Sequence, residues 1–399
     1  MPVYLTPGVY VEEVPGTPPI AGVGTSTAAF IGVVDTAAPF TMPQTVADPT
    51  VRFTVAPVNT AVLVTNFEQF KTHFGTFQAG NQVLAHAVFG FFQNGGTRCY
   101  VIRVADITNA AEVTDALLQL AKIDEIAIVA APGARTADVQ TAVIASCEDL
   151  KDRFAVLDGQ ITTTIDVPSI QGTVGDSNFA AMYFPQVEII DQTLVAEPPK
   201  PIEEWKAAAG ARLFLPPSAH MAGIYARVDQ ARGVHKAPAN EKVIGALGLE
   251  YLVTSNEQGD LNKNGINVIR GFDGNIKVWG ARTLGGDTNG EFKYINVRRL
   301  MNFMRESIDE GTQFVVFEPN NPALWQKIVR SVTAFLTNVW RDGALFGLTP
   351  EQAFFVKCDE TTNPPEVREL GQVVTEIGVA IVKPAEFVIF RISQVTLAG

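Results

Sequence analysis

One carboxylate in this sequence stands where α/β proteins often place a catalytic group. Asp158 and Gly159 directly follow the apolar run 154–157, and ligands of α/β sheets bind beyond the carboxyl ends of such strands. An Asp-Gly pair is equally typical of a turn that ends a strand, because both residues suit turn conformations. We favour the turn and assign no catalytic residue.

Motifs for nucleotide and metal chemistry are absent. There is no G-x-x-x-x-G-K-[ST] phosphate loop and no G-x-S-x-G elbow, and GVGTST (22–27) precedes its strand and lacks the third glycine of a dinucleotide-binding loop. His73, His86, His220 and His235 show neither i,i+4 pairing nor an acidic partner at metal-ligand spacing. We therefore predict a protein that is not an enzyme and uses no cofactor and no metal.

Composition points to an acidic, assembled protein. A chain of 399 residues predicts two or three domains, and only 18% of the residues are charged, so much of the surface is expected to be covered. The net charge of −12 disfavours direct nucleic-acid binding, which needs a surplus of Lys and Arg. Cys99, Cys147 and Cys358 are far apart and odd in number, which suits a reducing cytoplasm rather than a disulfide framework.

Neither a secretory signal nor a membrane segment is expected. The first residues lack a basic stretch followed by an apolar run. The uncharged stretch 14–34 contains Pro15, Pro18 and Pro19, which would break a spanning helix. We interpret it as a Pro/Gly linker followed by a buried strand.

Strand and helix patterns alternate through the first two thirds of the chain, which predicts an α/β (α+β) protein with a parallel sheet. Strands are predicted at 26–34, 61–65, 97–104, 126–133 and 154–159, and helices at 67–74, 85–92, 111–121, 136–152 and 218–233. The last third changes character near Ser255. It contains a strand over 265–284 bent at Gly271 and Asp273-Gly274, two periodic helices and a strand near 353–357.

Both ends of the chain carry a strand pattern tethered by prolines. The first is the run Val9, Tyr10, Val11, Glu12, Glu13 and Val14, which follows the turn pair Pro7-Gly8. The second follows Pro384 and alternates Phe387, Ile389 and Arg391 with Val388, Phe390 and Ile392. Either these strands fold back onto their own domain, or they are arms donated to neighbouring subunits by strand addition.

The helix predicted over 321–340 separates apolar from basic residues. Its apolar stripe consists of Trp325, Ile328, Val329, Val332, Phe335, Leu336 and Val339. Lys327, Arg330 and Arg341 fall together on the opposite side. A purely basic polar face is uncommon in an acidic chain, and it is either a solvated face or a docking surface.

The order of several motifs along the chain resembles one family. The motifs are LTPGVYVEEV, TAAFIGVV, GGTRCYVIRV, AGIYARVDQARGVHKAPAN, INVIRGFDGNIKVWGARTL, YINVRRLMNFMRESI, FEPNNPALWQKI and ELGQVVTEIGVAIVKPAEFVIFRISQ. The chain resembles the sheath proteins of contractile tails, which occur in myophages, R-type pyocins and extracellular contractile injection systems. The resemblance is weakest over 108–216.

This resemblance implies an organisation and a function. It implies an N-terminal arm at 1–22, an outer α/β domain at 23–255, an inner tube-facing domain at 256–383 and a C-terminal arm at 384–399. The arms would add strands to a small sheet of neighbouring subunits in a helical homopolymer, and Lys327, Arg330 and Arg341 would face the tube. A metastable extended sheath would then contract and drive the inner tube through a target envelope, without nucleotide hydrolysis.

The resemblance also implies partners and a location. The partners would be other copies of the chain, the inner tube protein, and baseplate and terminator or cap proteins. Assembly would occur in the bacterial cytoplasm, and the product would be a phage tail or a tail-like particle. The alternative is an α/β enzyme or ligand-binding domain whose terminal strands complete its own sheet.

Overall fold

The computed structural model describes residues 19–37, 39–194 and 211–391. The predicted arm strand at 9–14 and the residue Ile392 therefore lie outside the described residues. Contacts divide the chain into two compact units. We call Val23–Glu306 with Ile381–Gly399 the sheet unit, and Met1–Gly22 with Ser307–Ala380 the helix unit.

An eight-stranded sheet in the order β11-β10-β6-β5-β4-β1-β3-β2 organises the sheet unit. The neighbours from β10 to β3 are parallel, and the edge strands β2 and β11 are antiparallel to their partners. The strands are β1 (Ala28–Val33), β2 (Val62–Val64), β3 (Cys99–Val104), β4 (Ile128–Ala130), β5 (Phe154–Asp158), β6 (Ala180–Phe184), β10 (Ile266–Phe272) and β11 (Asn275–Val278). A smaller sheet, in the order β8-β7-β9, is formed by β7 (Val187–Ile190), β8 (Arg212–Leu215) and β9 (Gly248–Leu249). The predicted parallel α/β sheet is confirmed.

Helices cover both faces of the large sheet, and this explains why its central strands are apolar throughout. In β1, Ala28 and Phe30 belong to one core cluster, while Ala29 and Ile31 belong to the other. The helices of this unit are α1 (Phe67–Phe74), α2 (Gln82–Gln93), α3 (Ala110–Leu120), α4 (Ala137–Leu150), α5 (Val167–Gln171), α6 (Ser218–Arg232) and α7 (Ser255–Lys263), and α8 (Ile295–Gly311) contains the division between the units. Short 3₁₀ helices lie at Ala79–Asn81 and Gly286–Phe292.

The segment 265–284 corrects one prediction. It is a hairpin of β10 and β11, not a single bent strand. Asp273 and Gly274 have φ values of 46° and 77°, and two consecutive residues with positive φ form the tight turn that closes a hairpin. Because β10 also pairs with β6, the hairpin belongs to the large sheet. The compact units divide after Glu306.

Helices α2 and α6 approach each other closely through two glycines. A Cβ atom at Gly223 would overlap the backbone carbonyl oxygen of Phe91, and one at Gly90 would overlap the ring of His220. Backbone atoms cannot move aside as a flexible side chain can. The contact therefore depends on the absence of side chains at these two positions.

We expect Gly223→Ala to destabilise the protein, whereas Gly259→Ala should stabilise it. Overpacking a closed contact costs about 1–3 kcal/mol. A Cβ at Gly259, which is exposed in α7, would meet nothing within 4 Å, and replacing a helical glycine by alanine there gains about 0.5–1 kcal/mol. Thermal unfolding of both variants tests this, and equal shifts in the same direction would contradict it.

The helix unit is built around one long helix. Helix α9 (Pro322–Arg341) begins after the cap residue Asn321, whose side chain accepts a hydrogen bond from Leu324 N at 3.0 Å. It packs against β12 (Phe354–Lys357), which pairs with β13 (Glu376–Val379) in a two-stranded antiparallel sheet. The unit also contains the short helices α10 (Pro350–Ala353) and α11 (Pro365–Glu369) and a 3₁₀ turn at Gln313–Val315. Within the described ranges, no helix combines the length and apolar character needed to cross a membrane.

Candidate assembly surfaces

The C-terminal segment of the described chain ends in an exposed apolar run. Phe387, Val388, Ile389 and Phe390 are 70%, 68%, 78% and 84% exposed, and Arg391 is exposed as well. Residues 382–391 form no helix or strand within the part of the chain that the structure describes. Four consecutive exposed apolar side chains form an unusual surface for a subunit that remains alone in water.

The segment is held at its base by Glu386. Both carboxylate oxygens accept hydrogen bonds from Arg282, with Nε–Oε1 and Nη2–Oε2 distances of 2.9 Å. Asn262 Nδ2 donates to Oε1 at 2.6 Å, and the Tyr294 hydroxyl donates to Oε2 at 2.9 Å. Partial burial raises the pKa of Glu386, but these donors outweigh burial and hold the pKa below its ordinary value.

A second buried ion pair holds the chain where the N-terminal linker enters β1. Arg299 and Asp229 are both 4% exposed, and Nη2 lies 2.6 Å from Oδ2. Arg299 Nη2 also donates to the carbonyl oxygen of Thr25 at 2.9 Å, and the Thr25 hydroxyl donates to Asp229 at 2.6 Å. The linker is therefore fixed to the sheet unit from Thr25 onward.

Helix α9 presents the basic face that its sequence predicts. Of the predicted apolar stripe, Val329 is half-buried and the other members are buried: Trp325, Ile328, Val332, Phe335, Leu336 and Val339. Lys327, Arg330 and Arg341 are exposed, and none of them forms an ion pair with another described residue. The helix contains no acidic residue, so this face can attract an acidic partner without competition from its own helix.

The two-stranded sheet of the helix unit has outer edges and an exposed aromatic side chain. Phe355 lies opposite Gly378 and is 57% exposed. A Cβ at Gly378 would overlap the Phe355 ring, so the glycine allows the ring to lie across the neighbouring strand. Backbone groups along an outer strand edge can pair with an additional strand.

Asp158 is the last residue of β5, and its side chain is buried within the fold. Its side chain is 1% exposed and accepts hydrogen bonds from Ser218 N at 2.9 Å, from Ser218 Oγ at 2.8 Å and from Gly133 N at 3.0 Å. Burial raises the pKa of Asp158, while Arg135 and these donors act in the opposite direction. The carboxylate thus joins the start of α6 to the loop after β4.

The four histidines do not form a metal site within the described ranges. His86 is buried, contacts the carbonyl oxygen of Gln82 at 2.7 Å through Nδ1, and accepts a hydrogen bond from Gln192 N at 2.8 Å through Nε2. His220 is also buried. Burial, together with the neighbouring His86, lowers the pKa of His220 to about 4.

We expect this buried histidine to make the fold sensitive to acid. Unfolded His220 has an ordinary pKa near 6.5, so between about pH 6.5 and pH 4 the unfolded state binds a proton that the folded state excludes. Folding stability should therefore fall by about 3 kcal/mol over that window. Urea unfolding across the window should show a weaker pH dependence for His220→Gln than for the control His73→Gln, and equal dependences would refute this assignment.

Comparison with known proteins identifies the family to which this fold belongs. A family model described as the phage tail sheath protein central domain matches residues 109–284, and one described as the phage tail sheath C-terminal domain matches residues 287–395. The chain is 30% identical to a chain of the extracellular contractile injection system PVC sheath complex in its contracted state, with a TM-score of 0.76 over 99% of both chains. The chain belongs to the contractile tail sheath family.

Other sheath structures and sequences agree with this membership. A chain of the anti-feeding prophage helical sheath in its contracted state matches at 29% identity and a TM-score of 0.75, covering 98% of this chain and 100% of that one. The tail sheath protein of Burkholderia phage BcepMu is 27% identical over 248 residues, or 58% of this chain and 48% of that protein. The tail sheath protein of Vibrio phage KVP40 is 29% identical over 181 residues, which cover 44% of this chain and 26% of that protein. This sheath chain thus aligns with about half, or less, of these phage relatives.

The residue that holds the C-terminal segment of this sheath protein is not among the residues that the sequence pattern singles out. Glu386 is the single acidic residue between Pro384 and Arg391, and a lone charge in an apolar run signals a specific partner. Its partner Arg282 lies 104 positions earlier, and no local pattern connects the two.

Proposed function

We propose that this chain is the repeating subunit of a helical contractile sheath that surrounds an inner tube. The observation that carries this proposal is its match along almost its whole length to the chain of a contracted sheath complex. The subunit would act as a structural element without catalysis. The described residues that could suggest chemistry, Asp158 and His86, are occupied by hydrogen bonds within the fold.

Neighbouring subunits would be joined by exchange of terminal strands. The apolar run 387–390 is exposed and outside any strand of the described chain. The sheet of β12 and β13 offers outer edges, and strand addition satisfies backbone groups on both partners while burying alternate side chains. Val9, Tyr10, Val11, Glu12, Glu13 and Val14 would act in the same way from the other end of the chain.

The inner tube would dock on the basic face of α9. Lys327, Arg330 and Arg341 are exposed on a helix without acidic residues. Exposed charge pairs contribute about 0.2–1 kcal/mol each. Many copies along a tube would make the attachment firm, and a small shift of the lattice would release it.

Contraction would draw on burial between subunits, because the sequence contains no phosphate loop for nucleotide hydrolysis. Strand pairing would persist while the linkers beside it absorb the backbone rotation. The remaining partners would be baseplate and terminator or cap proteins. Assembly would take place in the bacterial cytoplasm, and the sheath would then form part of a phage tail or tail-like particle.

Electron microscopy of the purified protein tests the proposal. A sheath subunit should form long hollow cylinders, alone or with its tube protein. A compact monomer or dimer at every protein concentration and in the presence of the tube would favour the alternative, an α/β enzyme or ligand-binding domain.

A further inference from the structure

We infer that Glu386 is the fixed anchor of the C-terminal arm, so that the arm bends after Glu386 and not at Pro384. This inference rests on the proposed strand exchange, because it concerns the point from which an exchanged arm departs. It assigns a positioning role to the pair of Glu386 and Arg282.

The geometry of the pair is that of a rigid clamp. Arg282 donates one hydrogen bond of 2.9 Å to each carboxylate oxygen of Glu386. Such bidentate pairs fix the orientation of the two side chains as well as their distance. Asn262 and Tyr294 add one donor to each oxygen. Glu386 therefore accepts four hydrogen bonds from three side chains.

The clamp is itself connected to the large sheet. Arg282 is 4% exposed, and its backbone N–H donates to Asn267 Oδ1 at 2.8 Å. Asn267 lies on β10 and donates to the carbonyl oxygen of Arg282 at 2.7 Å and to that of Met182, on β6, at 3.2 Å. Glu386 is thus tied through Arg282 to two neighbouring strands of the core.

Continuous exposure begins after this position, although Lys383 and Ala385 are already exposed. The Glu386 side chain is 19% exposed, whereas the next four side chains are between 68% and 84% exposed. The side-chain hydrogen bonds to Glu386 therefore mark the last held position, and the arm begins at Phe387. A proline at 384 restricts φ, but it lies on the fixed side of the clamp.

The anchor should lower the protein concentration that polymerisation requires. An arm that starts from a fixed point samples less space than one released near residue 381, so its effective concentration at a neighbouring sheet is higher. Loss of the anchor adds an ordering cost to each strand exchange. We expect the threshold protein concentration for polymerisation to rise about tenfold when the anchor is removed.

Spin labels can locate the bend directly. The native cysteines are buried, so a nitroxide reacts selectively with a cysteine introduced at the exposed position Ala385 or Phe390. In the unassembled full-length chain, the label of Ala385→Cys should be restricted and that of Phe390→Cys mobile. Adding Glu386→Ala should make the label at 385 as mobile as that at 390.

Two further variants serve as controls for misfolding and for non-specific effects of substitution. Glu386→Gln keeps the shape and one acceptor oxygen but loses the charge and the second acceptor, and it should give an intermediate mobility. Glu291→Gln removes an exposed glutamate and should leave the label unchanged. Equal mobility at 385 and 390 in the otherwise native chain, or a label at 385 insensitive to Glu386→Ala, would overturn the anchor.

The assembly measurement separates this inference from the proposed function. A chain that ends after Glu386 keeps the clamp and lacks the arm. If that chain polymerises normally, the strand-exchange proposal is wrong. The label mobilities still test whether Glu386 anchors the segment. If that chain does not polymerise and Glu386→Ala polymerises at an unchanged threshold, exchange stands and the anchor has no role in assembly.

Discussion

Removing residues 1–16, or all residues after Glu386, is expected to give folded subunits that do not polymerise. Both core clusters found among the described residues of the sheet unit lie between residues 28 and 295, so neither deletion removes a member of these two clusters. Ending the chain after Glu386 rather than after Pro384 also keeps both acidic partners of the buried Arg282, which would otherwise retain only Asp287.

Size-exclusion chromatography and electron micrographs measure this effect. Circular dichroism should report native secondary structure in both deletion variants. A matched control that lacks only the last four residues should keep the run 387–392 and still polymerise. Cylinders of normal length from either large deletion would show that the terminal segments do not link the subunits.

Reversing the basic face of α9 is expected to abolish assembly around the tube while sparing the fold. The triple variant Lys327→Glu, Arg330→Glu and Arg341→Glu places three acidic groups where an acidic tube would dock. Surface substitutions usually change stability by about 0.5 kcal/mol or less, although Arg341 lies in the last helical turn and its reversal costs up to about 1 kcal/mol through the helix dipole. Docking of the native protein should weaken with salt, because screening limits the range of interaction between exposed charges to about 8 Å at physiological ionic strength.

A matched variant controls for net charge. Lys122→Glu, Arg232→Glu and Arg368→Glu reverse three other exposed basic residues and produce the same change in net charge. Co-assembly with the cognate tube protein should be lost in the α9 variant and kept in the control. Normal co-assembly of the α9 variant, insensitive to salt, would mean that a different surface faces the tube.

Sequence reasoning succeeded where local pattern and burial coincide. The continuous apolar run of β1 predicted a strand buried on both faces, because helices cover both sides of the sheet. The stripe of α9 predicted a helix with one buried face, and the side chains of Lys327 and Arg330 are exposed as expected. In both elements, the period of apolar residues and the tertiary packing demand the same side-chain placement.

It failed where partners are distant in sequence. The pairing of β10 with β6 could not be deduced from either segment alone. The hydrogen bonds from Arg282 to Glu386 and from Arg299 to Thr25 also join positions that are remote in sequence. Both connections depend on the folded sheet, which brings these residues together. One error is local: the pattern of 265–284 predicts a single bent strand, although Asp273-Gly274 is a turn signal that closes the hairpin of β10 and β11.

Mixed disulfide cross-linking tests strand exchange between subunits most directly. One subunit would carry a cysteine in the arm, at Val388 or Ile389 so that both faces of the strand are sampled, and the other would carry a cysteine at Ile377 on β13, which is 36% exposed. The native cysteines are buried and should not compete. If an arm pairs with the sheet of another subunit, oxidised mixtures should contain covalent dimers of one variant with the other, and neither variant alone should. Disulfides that form only within a chain carrying both cysteines, with no mixed dimer in assembled cylinders, would show that the arm folds back on its own subunit.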